Sequence, residues 1–171
     1  MANSVTKYAS NFVTVLNIVF GSLAIINIIN EDYKVATILI FMAVLMDSMD
    51  GRVARKLNTT SDMGKELDSL CDLVSFGVAP AILIYSQVFS EYPGIIGLIT
   101  AILFIICGAL RLARFNVLNT SGYFVGIPIT MAGALMVVIS ILSVHLPYIV
   151  IVMLMLLLSY LMISNIKVRK L

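Results

Sequence analysis

Six runs of apolar residues, each about 20 long, are separated by short polar breaks, and a helix needs about that length to cross roughly 30 Å of bilayer hydrocarbon. The runs cover approximately residues 11–30, 33–53, 66–90, 94–114, 122–143 and 146–166. Turn and charge signals punctuate them: "NEDYK", "RKLNTTSD", "SEYPG", "NVLNTSG" and "HLP". With 61% hydrophobic residues, 12% charged ones and a mean hydropathy of +1.08, the 171 residues offer too little polar surface to cover a water-soluble globule. The expected fold is an all-α membrane protein of six transmembrane helices. Short connections, with no internal repeat or low-complexity linker, predict one compact domain over residues 1–171. The polar N-terminal "MANSVTKYAS" leads into an apolar run without a convincing small-residue cleavage site, so the first helix is expected to be retained.

Lysine and arginine set the orientation. Lys7, Arg52, Arg55, Lys56, Lys65, Arg111, Arg114, Lys167, Arg169 and Lys170 fall at one set of span ends and Lys34 at the other. Ten against one predicts both termini in the cytoplasm of a cell-membrane protein. The net charge of +2 reflects that topology and gives no reason to expect nucleic acid as a partner. Cys71 and Cys107 lie inside predicted spans, which reads as two small buried residues rather than a disulfide. His145, in the external "HLP" break, has no expected role, and the ten methionines read as packing or lipid-facing residues.

The acids are distributed very unevenly. Six of the nine fall between Met46 and Asp72. Side chains three or four apart share a helix face, so Asp47 and Asp50 project together from the end of the second span, and Asp68 and Asp72 from the start of the third. Two carboxylate pairs thus face each other across one hairpin, at a depth where uncompensated charge is costly. The nearby cations are Arg52, Arg55, Lys56 and Lys65. Metal would resolve the repulsion, and an all-carboxylate set suits hard ions such as Mg²⁺, Mn²⁺ or Ca²⁺. Four carboxylates can hold two such ions, an arrangement that clamps phosphoryl groups. Gly51 and Gly64 would let a ligand approach the backbone, and Arg55 is placed to fork onto a phosphate. Asp62 and Glu66, in "SDMGKE", read instead as helix-start chemistry.

The same stretch resembles the signature of the CDP-alcohol phosphotransferase family: Asp47, Asp50, Gly51, Ala54, Arg55, Gly64, Asp68 and Asp72 fill eight fixed positions over 26 residues. The resemblance implies that Asp47, Asp50, Asp68 and Asp72 hold two divalent cations, that Asp72 is also the base toward the acceptor alcohol, and that Gly51, Ala54, Arg55 and Gly64 line the CDP site. Three further stretches, "SFGVAPA" (75–81), "RLARFN" (111–116) and "FVGIP" (124–128), with "LNIVFGSLAI" in the first span, are similar to the small membrane-integral phosphatidylserine synthases of bacteria and archaea, a branch of that family. That implies CDP-diacylglycerol, or a CDP-archaeol-like lipid, as donor, L-serine as acceptor, an active site facing the cytoplasm and a homodimer built on the later spans.

Arg111 and Arg114 read either as positive-inside anchors or as binders of a serine carboxylate or lipid phosphate, with Asn116 as a further polar contact. Asn17, inside an apolar span, reads equally as an interhelical hydrogen bond or as a nucleotide contact. Two alternatives stay open: another acceptor in the same family, glycerol phosphate or inositol phosphate, and a cation or proton transporter. The second expects acids spread through the bilayer depth, whereas here they gather at one end.

Overall fold

The computed structural model describes residues 2–57, 62–92, 94–117, 123–165 and 167–169, with side chains described over 14–49, 63–92, 94–117 and 126–165. Helices dominate: α1 (Ala2–Ile29), α2 (Tyr33–Leu57), α3 (Asp62–Asp72), a π-helical segment (Leu73–Val78), α4 (Ala79–Gln87), α5 (Ile96–Val117), α6 (Ile129–Leu142) and α7 (Tyr148–Ile163). The third expected span is one continuous helix in which α3, the π segment and α4 follow without a break. That helix and α5 are long and apolar enough to cross a membrane. Large apolar side chains such as Ile38, Leu45, Ile102, Ile106, Met153 and Leu157 face outward, as lipid-facing helices require.

The α1–α2 connection shows how little chain a turn can use. Glu31 adopts a left-handed φ of 61°. Its N–H donates to Ile28 O at 3.0 Å and that of Asp32 to Asn27 O at 2.9 Å, which closes α1 with a Schellman motif. Asp32 then starts α2, its Oδ1 accepting from Val35 N at 3.2 Å. Below this turn Ala24, Ala36, Ile28 and Ile40 are buried against Ala79, Leu83 and Val137, small residues allowing close approach of the helices.

The π segment overlaps the start of the "SFGVAPA" stretch, and Pro80 just beyond it bears on its geometry. Pro80 has no N–H, so the carbonyls it would have served inside an α-helix need other arrangements. Ala79 N–H reaches back to Val74 O, a wider π-type bond. The Phe76 carbonyl faces Gly133 of α6, where a Cβ would lie 2.6 Å from that oxygen. On the opposite side Gly21 of α1 packs against Ser75, whose Oγ donates to Asn17 O at 3.1 Å. Glycines on both neighbours therefore hold the segment directly beyond Asp72.

The expectation of a fifth span from residue 122 is corrected. Residues Tyr123–Val125 form a short strand, β1, paired antiparallel with β2 (Lys167–Arg169), in the register Tyr123↔Arg169, Phe124↔Val168 and Val125↔Lys167. Gly126, at φ 76°, lies so close to the carbonyls of Leu161 and Met162 that a side chain would collide, and Pro128 caps α6, which starts at Ile129. The ribbon is the departure from a purely helical fold among the described residues. It ties the α5–α6 connection to the chain leaving α7, which ends at Ile163 rather than near 166.

Candidate active site

Asp47 in the C-terminal half of α2 and Asp68 and Asp72 on α3 each offer a carboxylate oxygen within 4.8 Å of the others. The i, i+4 spacing puts the α3 pair on one face, and the α2–α3 hairpin brings Asp47 opposite. Asp47 and Asp68 are half-buried and Asp72 is buried. The fourth expected carboxylate, Asp50, lies on α2, with its side chain outside the described residues, as are those of Gly51, Ala54 and Arg55. Gly64 sits in the first turn of α3, partly exposed.

Two side chains from other helices close on Asp72. Asn17 of α1, 1% exposed, donates from Nδ2 to Asp72 Oδ1 at 3.2 Å, while its own Oδ1 is buried with no hydrogen-bond partner. Arg111 of α5 is within electrostatic reach of both Asp72 and Asp47. Its guanidinium lies 5.4 Å from the Phe115 ring centroid, and its Nε is buried without a partner. The interhelical hydrogen bond read for Asn17 is present.

The other two residues grouped with Arg111 are engaged elsewhere. Arg114 donates from Nη1 to Ile163 O at 3.3 Å and from Nη2 to Asn165 Oδ1, clasping the end of α7. Asn116 donates to Glu66 Oε2 at 3.0 Å and accepts from Ser69 Oγ at 3.2 Å, tying the end of α5 to α3. Glu66 thus does more than begin a helix. Sequence reasoning missed Ser69 and the bond from Ser75 to the Asn17 backbone; their signal was modest, small hydroxyls inside apolar or helical runs where few other partners exist. Cys71 and Cys107 are buried and are not joined in a disulfide.

Three carboxylates at this separation repel one another strongly in a poorly solvated site, and an oxygen-only donor set fits a hard divalent cation. The grouping could therefore hold a metal ion. Comparison with known proteins agrees: the family model for CDP-alcohol phosphatidyltransferase matches residues 7–166. The chain belongs to that family. Among relatives within it, the CDP-diacylglycerol–serine O-phosphatidyltransferase of Methanocaldococcus jannaschii is 48% identical over 161 residues, 94% of this chain and 73% of the relative. The protein of the same name from Bacillus subtilis is 42% identical over 135 residues, 78% of this chain and 76% of its own. One from Helicobacter pylori is 44% identical over 130 residues, 74% of this chain and 54% of that longer protein.

Proposed function

We propose that this member of the family is a membrane-embedded phosphatidylserine synthase, which moves the phosphatidyl group of CDP-diacylglycerol to the hydroxyl of L-serine and releases CMP. The observation that carries the reading is the meeting of Asp47, Asp68 and Asp72 with Arg111 over the same site, in a chain so similar to serine phosphatidyltransferases along most of its length. A CDP-archaeol-like lipid would present the same head group.

Asp47, Asp50, Asp68 and Asp72 would hold two divalent cations, Mg²⁺ or Mn²⁺, with Ca²⁺ able to bind the same oxygens; when bound, these neutralise the diphosphate and the charge that develops on it. Gly51, Ala54 and Gly64 leave room for the nucleotide, and Arg55 forks onto its phosphate. Asp72 accepts the proton of the serine hydroxyl. The freed oxygen bonds to the β-phosphorus as the bond from that phosphorus to the bridging oxygen breaks, and CMP departs with the bridging oxygen. Arg111 holds the acceptor's carboxylate. Arg114 and Asn116 support the reaction from behind, fixing α7 and α3 around α5.

The whole chain acts as one transmembrane domain of six spans, with both termini and the site on the cytoplasmic side of the cell membrane, and it pairs as a homodimer. The positive-inside count supports this orientation, and the β1–β2 pairing places the α5–α6 connection and the C-terminal tail on one face.

The test is release of CMP from CDP-diacylglycerol by purified protein in detergent, with and without L-serine, and with Mn²⁺ or Mg²⁺ against a chelator. Release that needs both serine and metal is expected. Release driven by glycerol phosphate or inositol phosphate but not by serine would move the chain to another acceptor.

A further inference from the structure

Two buried polar atoms beside Asp72 have no partner, and they are of opposite kind. Asn17 Oδ1 is an acceptor and Arg111 Nε a donor. Leaving such atoms buried and unsatisfied is unfavourable enough that native structures normally supply a partner, whether protein, water or ligand. With Asp72 ionised, as the proton acceptor in the reaction must be, the Asn17 NH₂ faces its carboxylate and the amide oxygen faces the other way. Because both amide atoms hang from one carbon, that oxygen is held next to the carboxylate that takes the acceptor's proton.

We infer that Asn17 and Arg111 together read the zwitterion of the acceptor, with the ammonium of L-serine donating to Asn17 Oδ1 and its carboxylate accepting from Arg111. This deepens the phosphatidylserine synthase reading and rests on it. Three groups around one stereocentre are then engaged at once: the hydroxyl through its Cβ by Asp72, the ammonium by Asn17 and the carboxylate by Arg111. Glycerol phosphate and inositol phosphate carry no ammonium and can offer Asn17 Oδ1 only a neutral hydroxyl, whereas an acceptor with no donor at that position leaves the atom unpaired, which discriminates more strongly than a missing methylene. The mirror-image amino acid can satisfy two of the three contacts. Asn17 is held for this task from its own backbone, whose carbonyl accepts from Ser75 Oγ in the π segment.

The experiment compares kcat/KM for L-serine, D-serine, ethanolamine and 3-hydroxypropionate in wild type, Asn17→Leu and Arg111→Met, with CMP release as readout and calorimetric L-serine binding beside it. In wild type each analogue is expected to fall roughly 10- to 100-fold below L-serine. Asn17→Leu lowers all rates, because Asp72 loses its partner, but it should collapse the preference for L-serine over 3-hydroxypropionate while keeping that over ethanolamine. Arg111→Met should do the reverse. Wild type that uses L-serine yet accepts 3-hydroxypropionate within about threefold overturns the inference and leaves the serine reading intact, even if a variant fails to fold. So does Asn17→Leu that keeps its preference for L-serine over 3-hydroxypropionate, which would assign the orphaned oxygen to water. Wild type with no serine activity overturns both.

Discussion

At the scale of single residues, the four carboxylates should not be interchangeable. Among the three whose side chains are described, Asp72 is buried, with Asn17 on one oxygen and Arg111 nearby, while Asp47 and Asp68 are half-buried. Asp72→Asn removes the proton acceptor but keeps the shape, so turnover should fall by at least about 100-fold while CDP-lipid binding survives in part. Asp47→Asn and Asp68→Asn should instead raise the metal concentration needed for half-maximal rate as well as lower the rate. Metal titrations of CMP release on the three variants separate these patterns, and near-normal turnover by Asp72→Asn would remove it as the base. The pairing of Asp68 with Asp72 was legible because helix geometry acts over four residues. The bond from Asn17 to Asp72 was not, since it joins residues 55 apart and no local rule says which of several apolar spans will face α3. An amide in an apolar run said only that some partner must exist.

Elements were legible to the extent that their signals were periodic or local. The first span ends and the second begins where expected, but α1 starts nine residues early, at Ala2; α2 runs on to Leu57 through Arg55 and Lys56, which are good helix formers, and α5 runs on to Val117. The fifth misled, because Phe124, Val125 and Ile127 look like span residues until Gly126 and Pro128 force a turn. The π segment left a mark in Pro80, though a proline alone does not say which neighbour packs against it. Here Gly133 lies close to the Phe76 backbone, and that close approach makes a contrast of two glycines informative. A Cβ at Gly133 meets the Phe76 backbone, which cannot move cheaply, whereas one at Gly108 meets the tip of Ile129 at 2.7 Å, which can rotate away. Gly133→Ala should lose about 1–3 kcal/mol to overpacking, outweighing the gain of up to about 1 kcal/mol from replacing a helical glycine, while Gly108→Ala should come out near neutral. Thermal unfolding in detergent would rank them, and the opposite order would mean the π segment is not held by that contact. Because the segment begins directly after Asp72, Gly133→Ala should also reduce turnover more than Gly108→Ala.

For the whole molecule, the arrangement of long helices constrains which face the chemistry can occupy. The continuous helix from Met63 to Glu91 and α5 both have the length and composition to cross a bilayer, and they run in opposite directions joined by a short turn. Asp72, in the first half of the first, and Arg111, in the second half of the second, therefore share one side, in keeping with the electrostatic reach between them. That side also carries Arg114, clasped to the end of α7, and the β1–β2 ribbon, so the structure collects its cationic ends at the same face as its acids. The positive-inside rule supports the proposal that this face is the cytoplasmic one, where a water-soluble acceptor and CMP would be handled. Sealed inside-out membrane vesicles containing the protein should convert externally added L-serine without permeabilisation, and right-side-out vesicles should do so only after detergent opens them. The assay reads labelled serine in the lipid fraction. Activity confined to intact right-side-out vesicles would reverse the orientation, whereas equal activity in both would mean that the acceptor reaches Asp72 from either side and that the helices beyond the π segment do not seal the site.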